Sequence, residues 1–280
     1  LGSGPGGYVT AIRASPLGFK TAIIEREALG GICLNWGCIP TKALLKSANV
    51  FEYISHASDY GITVNSASAD FNGMIKRSRD VADGMSNGIQ FLMKKNKIDV
   101  LKGNGVLKAG RKVAVTDESG KTDEYTADKG LIIATGSRSR ELPNLPQDGE
   151  KIIGYRQAMT LKTQPKKLLI VGSGAIGVEF AYFYNSMGTS VTIVEYLDRI
   201  VPVEDSEISK ELEKSLKKKG INILTSTEVE KAEINSSGSV DVTLKNSNGE
   251  KSIISTEIVL SAVGIKTNIE NIGLEDLGIK

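Results

Sequence analysis

The sequence predicts an α/β protein built from two Rossmann-like units, and three observations carry that prediction. A glycine pattern of the form GxGxxG occurs twice, as GSGPGG at 2–7 and GSGAIG at 172–177. Each copy is followed by an apolar helical stretch and then by a β-branched run ending in an acid: TAIIE closes on Glu25, and SVTIVE closes on Glu195. The spacing is the same in both copies, since Gly7 to Glu25 and Gly177 to Glu195 are each 18 residues. Strand, glycine turn, helix and strand, with an acid about 20 residues on, is the arrangement that binds dinucleotides. In it Gly2 and Gly172 allow the tight turn, and Gly4 and Gly174 let backbone approach a pyrophosphate. Gly7 and Gly177 let helix pack on strand, and the helix start, Ala175 and Ile176 in the second copy, faces the phosphates. Glu25 and Glu195 would accept the ribose hydroxyls. One such pattern is a weak signal; two, each with its acid in place, are a strong one.

Composition sets the bounds. A chain of 280 residues suggests one large domain or two of ordinary size. It is 40% hydrophobic and 24% charged, as globular proteins are. A net charge of +2 gives no basic face for nucleic acid or an anionic membrane. No apolar run approaches the roughly 18–20 residues that span a bilayer. The opening LGSGPGG has no signal-like character. A reducing, cytoplasmic compartment is therefore expected, and the sequon at Asn235 is read as a chance match. One histidine, His56, and two cysteines leave no zinc site, so no metal is expected. His56 is read as a surface or packing residue.

Between the two glycine patterns, Ala43 to Ile54 has apolar residues at helical spacing. So does the stretch from Phe71 to Leu92, with Asp70 as its N-cap. Pro16 falls in the last turn predicted for the first helix, tolerable because Gly18 ends it. VLKGNGVL, KVAVTD and DEYTA read as short strands, and GLIIATGS at 130–137 as a buried strand running into a turn. ELPNLP at 141–146 reads as a linker. Ser206–Lys219 is an amphipathic helix stopped by Gly220, and its KSLKKKG run is a solvated helix end. INILTS, VDVTLK and KSIISTEIVLSAVG read as strands.

Both cysteines lie in GGICLNWGCIPTKALLK at 30–46. Residues five apart on a regular helix have Cα atoms roughly 8–9 Å apart, and a disulfide needs less than about 7 Å. Cys33 and Cys38 can bridge only if the backbone leaves the helix between them. Gly37 permits the departure, and Pro40 suits the first turn of the helix that follows. A thiolate near that helix start would be stabilised by amide dipoles. Two unpaired core cysteines are the alternative; it leaves the glycines and the proline unexplained.

GGICLNWGCIPTKALL resembles the redox-active segment of the flavoprotein disulfide reductases. Its wording is nearest the branch that reoxidises dihydrolipoamide. The resemblance runs through ATGS at 134–137, GSGAIGVEFA at 172–181 and VLSAVGIKTN at 259–268. It implies an FAD-binding domain with the redox-active disulfide at 1–145, an NAD-binding domain at 146–266, and at 267–280 the start of a return segment to the first domain. It implies that FAD is held by the first glycine pattern, Glu25, the segment from Gly31 through Cys33, Lys42, Gly105, and Thr135, Gly136 and Ser137. NAD would be held by the second pattern, Glu179, Glu195, Val229 and Gly264. Lys42 and Glu179 would flank flavin and nicotinamide. Cys33 would be the interchange thiol that meets substrate, and Cys38 the thiol against the flavin. The implied partners are lipoyl domains of 2-oxo acid dehydrogenase complexes and a second copy in a homodimer.

The resemblance also departs. Only Leu1 precedes Gly2, so the first unit is expected to lack its first strand, and after LGIK the family's interface domain with its His-Glu acid–base pair is expected to be missing. A chain so shortened is expected to be inactive alone. Related glutathione-type or mercuric-type reductases, or a flavin-binding module without turnover, are the alternative readings.

Overall fold

The computed structural model describes residues 1–279; Lys280, the last residue of the expected return segment, lies outside them. In chain order the first elements are α1 (Pro5–Ala14), β1 (Ala22–Glu25), α2 (Gly31–Asn35), α3 (Cys38–Ser55) and α4 (Phe71–Lys95). Five strands follow: β2 (Asp99–Lys102), β3 (Asn104–Lys108), β4 (Lys112–Thr116), β5 (Thr122–Thr126) and β6 (Ser137–Ser139). Next come β7 (Ile152–Ile153), α5 (Tyr155–Ala158), β8 (Lys167–Val171), α6 (Ala175–Ser186), β9 (Ser190–Val194) and α7 (Ser206–Lys218). The chain closes with β10 (Asn222–Leu224), β11 (Thr227–Ile234), β12 (Val240–Asn246), β13 (Lys251–Thr256), β14 (Ile258–Ser261) and β15 (Ile265–Thr267).

The chain divides into two compact units. One comprises Leu1–Pro40, Arg79–Arg138 and Lys266–Lys280, and the other Thr41–Ser78 and Ser139–Ile265. Residues 41–78 thus pack with the second unit. Phe71, at the start of α4, places its ring 6.1 Å from Phe183 and 5.9 Å from Tyr184 on α6.

In the second unit five parallel strands lie in the order β10-β9-β8-β14-β7. Strands covered on both faces read as continuous apolar runs rather than alternations. β8 does so, with Leu168, Leu169, Ile170 and Val171 all buried. An antiparallel sheet, β11-β12-β13, adds Val229, Val240, Val242 and Leu244 to the same core. β11 has no counterpart in the sequence reading. The expected linker contributes more than a connection, because Leu145 is fully buried in that core.

In the first unit β1 and β2 pair in parallel, and β3-β4-β5 form an antiparallel sheet. α1, α2 and α4 close over Ala11, Ile23, Leu34, Ile89 and Met93. α4 starts where Asp70 Oδ1 accepts the Gly73 amide at 3.0 Å, the cap expected from sequence. Two expectations fail here. Residues 130–136 are not a buried strand: they carry no strand structure, and Ile132 and Ile133 are exposed. A β-branched run becomes a strand only with a ladder to join. This one finds no strand beside it: it bonds to Leu1, through Leu1 N to Ile132 O at 2.7 Å and Ala134 N to Leu1 O at 2.8 Å, and to Asn268, which donates to Thr135 O and Gly136 O. Pro16 is not in the last turn of α1 either. That helix stops at Ala14, and Pro16 lies in a separate 3-10 turn that Gly18 ends in the left-handed region.

Candidate functional site

The two glycine patterns fold alike, each within its own unit. Gly2 and Gly172 have φ of 94° and 98°, a region open to glycine without steric cost. Their amides donate to Ile24 O at 2.9 Å and Val194 O at 2.8 Å, which pins each turn to the neighbouring strand. A Cβ on Gly7 would strike Gly2 O, and one on Gly177 would strike Gly172 O, so each helix lies hard against its turn. Gly4 and Gly174 are the extended N-caps of α1 and α6, and neither helix has a side-chain cap. The first-turn amides, including those of Ala175 and Ile176, carry the partial positive charge that suits a phosphate.

The acids at the strand ends also match. Glu25 Oε2 accepts the Ser3 amide at 2.9 Å and the Ser3 hydroxyl at 2.6 Å, while its Oε1 accepts the Glu27 amide at 2.8 Å. Glu195 Oε2 accepts the Ser173 amide at 2.8 Å and the Ser173 hydroxyl at 2.6 Å, and its Oε1 accepts the Leu197 amide at 2.8 Å. These bonds fix each carboxylate beside its glycine turn and leave it acceptor capacity for hydroxyls.

The first unit holds a cavity of about 470 Å³. Leu1, Gly2, Glu25, Gly105 and Thr135 line it, together with Arg26, Gly103, Asn104, Arg138, Asn268, Glu270, Asn271 and Ile272. Of the residues expected to hold FAD, Gly2, Glu25, Gly105 and Thr135 therefore converge. Gly4, Gly7, Gly31, Cys33, Gly136 and Ser137 do not line it. Gly31 joins the glycine turn another way: a Cβ there would stand 2.6 Å from Gly4 Cα, so α2 begins in contact with the turn. The glycine turn, the uncapped helix start and the carboxylate over the cavity fit a dinucleotide.

Sequence reading missed the far wall. Arg138 Nη1 donates to Thr267 O and Asn268 Oδ1, and both guanidinium ends reach Glu270 at 3.0 Å. Lys266 adds a contact to Glu270 at 2.6 Å. The Arg138 and Lys266 hydrogen bonds pull the Glu270 carboxyl down to about 2. Asn268 Nδ2 in turn donates to Thr135 O at 3.0 Å. The signal available was Arg138 directly after ATGS.

The cysteines are joined. α2 ends at Asn35, Trp36 leaves the helical region with φ of −138°, and α3 starts at Cys38. Cys33 and Cys38 form a disulfide with Cα atoms 4.7 Å apart, far closer than a continuous helix allows. The break at Trp36 and Gly37 makes the difference. Asn35 stiffens the segment, its Nδ2 donating to Leu29 O at 3.0 Å and Gly31 O at 2.9 Å.

In the second unit Lys42 on α3 and Glu179 on α6 form an ion pair at 2.6 Å. The same two helices meet again where Glu52 accepts from Tyr182 Oη at 2.9 Å, Ser186 Oγ at 2.8 Å and Lys219 Nζ at 2.9 Å. These bonds draw the Glu52 carboxyl below its ordinary range despite partial burial, which opposes them. Val229 is a buried core residue, and its carbonyl accepts from Asn144 at 2.5 Å. Gly264 is at φ of 110°, with open space on its Cβ side. His56 lies just past α3, its Nδ1 2.9 Å from Glu52 O. Among the described residues no acidic, histidine and cysteine cluster could hold a metal, and no helix is long and apolar enough to cross a membrane.

Comparison with known proteins agrees with this geometry. The family model described as pyridine nucleotide-disulphide oxidoreductase matches residues 1–280. A dihydrolipoyl dehydrogenase of Rhizobium etli is 48% identical over 295 residues, covering 100% of this chain and 61% of its own length. One of Zymomonas mobilis is 45% identical over 280 residues, covering 100% and 60%. The chain thus spans about 60% of the length of these curated relatives. The solved structure of LpdA from Mycobacterium tuberculosis superposes with a TM-score of 0.89 at 28% identity, covering 100% of this chain and 61% of the other. The flavoprotein disulfide reductase RclA from Escherichia coli gives 0.83 at 26%, covering 100% and 58%. Two matching glycine turns, a disulfide across a broken helix and a family match over its whole length establish that the chain belongs to the pyridine nucleotide-disulphide oxidoreductase family.

Proposed function

We propose that the chain carries the electron path of an NAD-linked flavoprotein that reoxidises dihydrolipoamide. The observation that carries this reading is the Cys33–Cys38 disulfide held across the helix break, in the unit that also bears the first glycine turn. Two relatives named dihydrolipoyl dehydrogenase, 45–48% identical, support the choice of substrate.

On this reading residues 1–145 bind FAD, 146–266 bind NAD, and 267–280 return to the first domain. Gly2, Gly4, Gly7, Glu25, Gly31, Gly105 and Thr135–Ser137 hold FAD. Gly172, Gly174–Gly177, Glu195, Val229 and Gly264 hold NAD, Val229 through its backbone because its side chain is buried. The uncapped starts of α1 and α6 take the phosphates. Flavin, when bound, supplies the two-electron chemistry that connects a dithiol to a nicotinamide. The chain's own part is thiol exchange. A dihydrolipoamide thiolate attacks Cys33 Sγ, the protein disulfide breaks, and Cys38 leaves as a thiolate near the start of α3, whose amide dipoles stabilise it. The second lipoyl thiolate then attacks the mixed disulfide, closes the lipoamide ring and frees Cys33. Two electrons now reside in the cysteine pair, and two protons pass to bases or solvent. Lys42 and Glu179 pair within the second unit and neutralise each other's charge. The partners are lipoyl domains of a 2-oxo acid dehydrogenase complex and a second copy in a homodimer, in the cytoplasm.

The test is reduction of the flavin-loaded, full-length protein by dihydrolipoamide, followed by absorbance. The reading expects a long-wavelength thiolate–flavin band at the two-electron level, and NADH formation that requires both cysteines. Plain flavin bleaching with no NADH would overturn it.

A further inference from the structure

The thiol pair is gripped from a helix with no assigned part in electron transfer. On α4, Arg79 and Ser86 stand two helical turns apart and so share a face. Ser86 Oγ donates to Leu29 O at 2.9 Å, just ahead of α2. Arg79 reaches the stretch between the cysteines. Its Nη1 donates to Asn35 O at 2.7 Å, and its guanidinium lies over the Trp36 ring, 4.8 Å from the centroid. Trp36 is held from another side, its Nε1 donating to Glu27 Oε1 at 2.9 Å. Asp83, one turn along α4, supplies a counter-charge to Arg79.

The bond to Asn35 O acts on the helix break itself. In a continuous helix that carbonyl would accept the amide of Ile39, four residues on. Here it takes the guanidinium instead, and α3 begins afresh at Cys38. The alternative matters once the disulfide opens. If α2 and α3 then joined, the two thiols would sit roughly 8–9 Å apart by Cα, beyond disulfide range. A group that favours the break in the open state keeps the thiols in each other's reach. Such preorganisation raises their effective concentration and favours reclosure.

We propose that Arg79 is a positioning residue for the thiol pair: by holding Asn35 O and the Trp36 ring it preserves the helix break in the dithiol form and so sets the thiol–disulfide equilibrium of Cys33 and Cys38. This rests on the reading of that pair as the redox centre. The equilibrium can be measured without lipoamide. Two glutathione molecules deliver two electrons and two protons to the Cys33–Cys38 bond, yielding the dithiol and one glutathione disulfide.

The experiment equilibrates the full-length protein with defined glutathione buffers, traps free thiols by alkylation and reads the reduced fraction by mass. Arg79→Met keeps bulk and loses charge and donors; it should shift the equilibrium constant about tenfold toward the dithiol, the scale of one lost charge-assisted hydrogen bond. Arg79→Lys should recover part of that shift. Trp36→Leu should shift it about threefold the same way, the scale of a lost cation–π contact. Should Arg79→Met not fold, the lysine and leucine variants decide by themselves. Constants within twofold of the unsubstituted protein would overturn the proposal. A merely structural role would lower the melting temperature and leave the constant in place. Loss of the dihydrolipoamide reading would appear elsewhere, as missing NADH formation with the equilibrium shifts intact.

Discussion

Ser173 donates both its amide and its hydroxyl to a single carboxylate oxygen of Glu195, at 2.8 and 2.6 Å, and Glu195 is buried. The carboxylate is therefore fixed at the end of β9 before any nucleotide arrives. A carboxylate there accepts ribose hydroxyls and repels a 2′-phosphate. The cation nearest in sequence, Arg199, is turned to Pro202 O at 3.1 Å. The full-length protein should prefer NAD to NADP, and Glu195→Ala should narrow the preference. The ratio of kcat/KM for the two cofactors measures it, and an NADP preference in the unsubstituted protein would refute the assignment.

Adjacent glycines in α1 should respond oppositely to alanine. A Cβ on Gly7 would collide with Gly2 O, which the turn cannot move. A Cβ on Gly6 meets only the Ala134 Cβ at 3.5 Å, an ordinary contact. Gly7→Ala should destabilise by about 1–3 kcal/mol through overpacking, whereas Gly6→Ala should be neutral or stabilise by up to about 1 kcal/mol. Thermal unfolding of the two variants side by side distinguishes them. Equal losses would mean that helix and turn are not packed as described.

The cysteines should be unequal. Cys38 opens α3, while Cys33 sits in the short α2 before the break. Cys33→Ser should retain a thiolate at the helix start and so keep a long-wavelength flavin band. Cys38→Ser should lose it, and both should lose dihydrolipoamide oxidation. Identical spectra from the two variants would sink the distinction.

Acid should loosen the cavity wall. The Glu270 carboxyl falls from 4.5 to about 2 through its bonds with Arg138 and Lys266. A depressed folded-state value means the contribution is fully present above about 4.5 and fades as pH falls toward about 2. Amide protection factors across residues 266–272, corrected for the intrinsic exchange rate at each pH, should therefore fall over that interval, and Arg138→Met should flatten the dependence. An unchanged pH profile in that variant would contradict the pairing.

The parts legible in sequence were those written within one local stretch. Both glycine turns and their acids follow from spacing, the start of α4 from Asp70, and the break between α2 and α3 from Gly37. What escaped needs partners far along the chain. β11 reads TEVEKAEI, so rich in charge that its apolar contribution to the core reduces to Val229 and Ala232, and the pairing with β12 reveals it. Residues 130–136 have the apolar content of a strand but bond to Leu1 and Asn268 rather than to a neighbouring strand. Arg138 and Glu270 meet across 132 positions, a distance at which local pattern is silent. The packing of Phe71 on Phe183 and Tyr184 is hidden for the same reason.

Trp36 is the chain's only tryptophan, and it lies between the two cysteines with its indole fixed by Glu27 and Arg79. Disulfides quench indole emission at short range, and dithiols do so far less. Within these 280 residues light absorbed by tryptophan is therefore absorbed at one address, and its return should brighten or dim as the Cys33–Cys38 bond opens or closes. Stopped-flow fluorescence can time that bond with no label added and no residue changed.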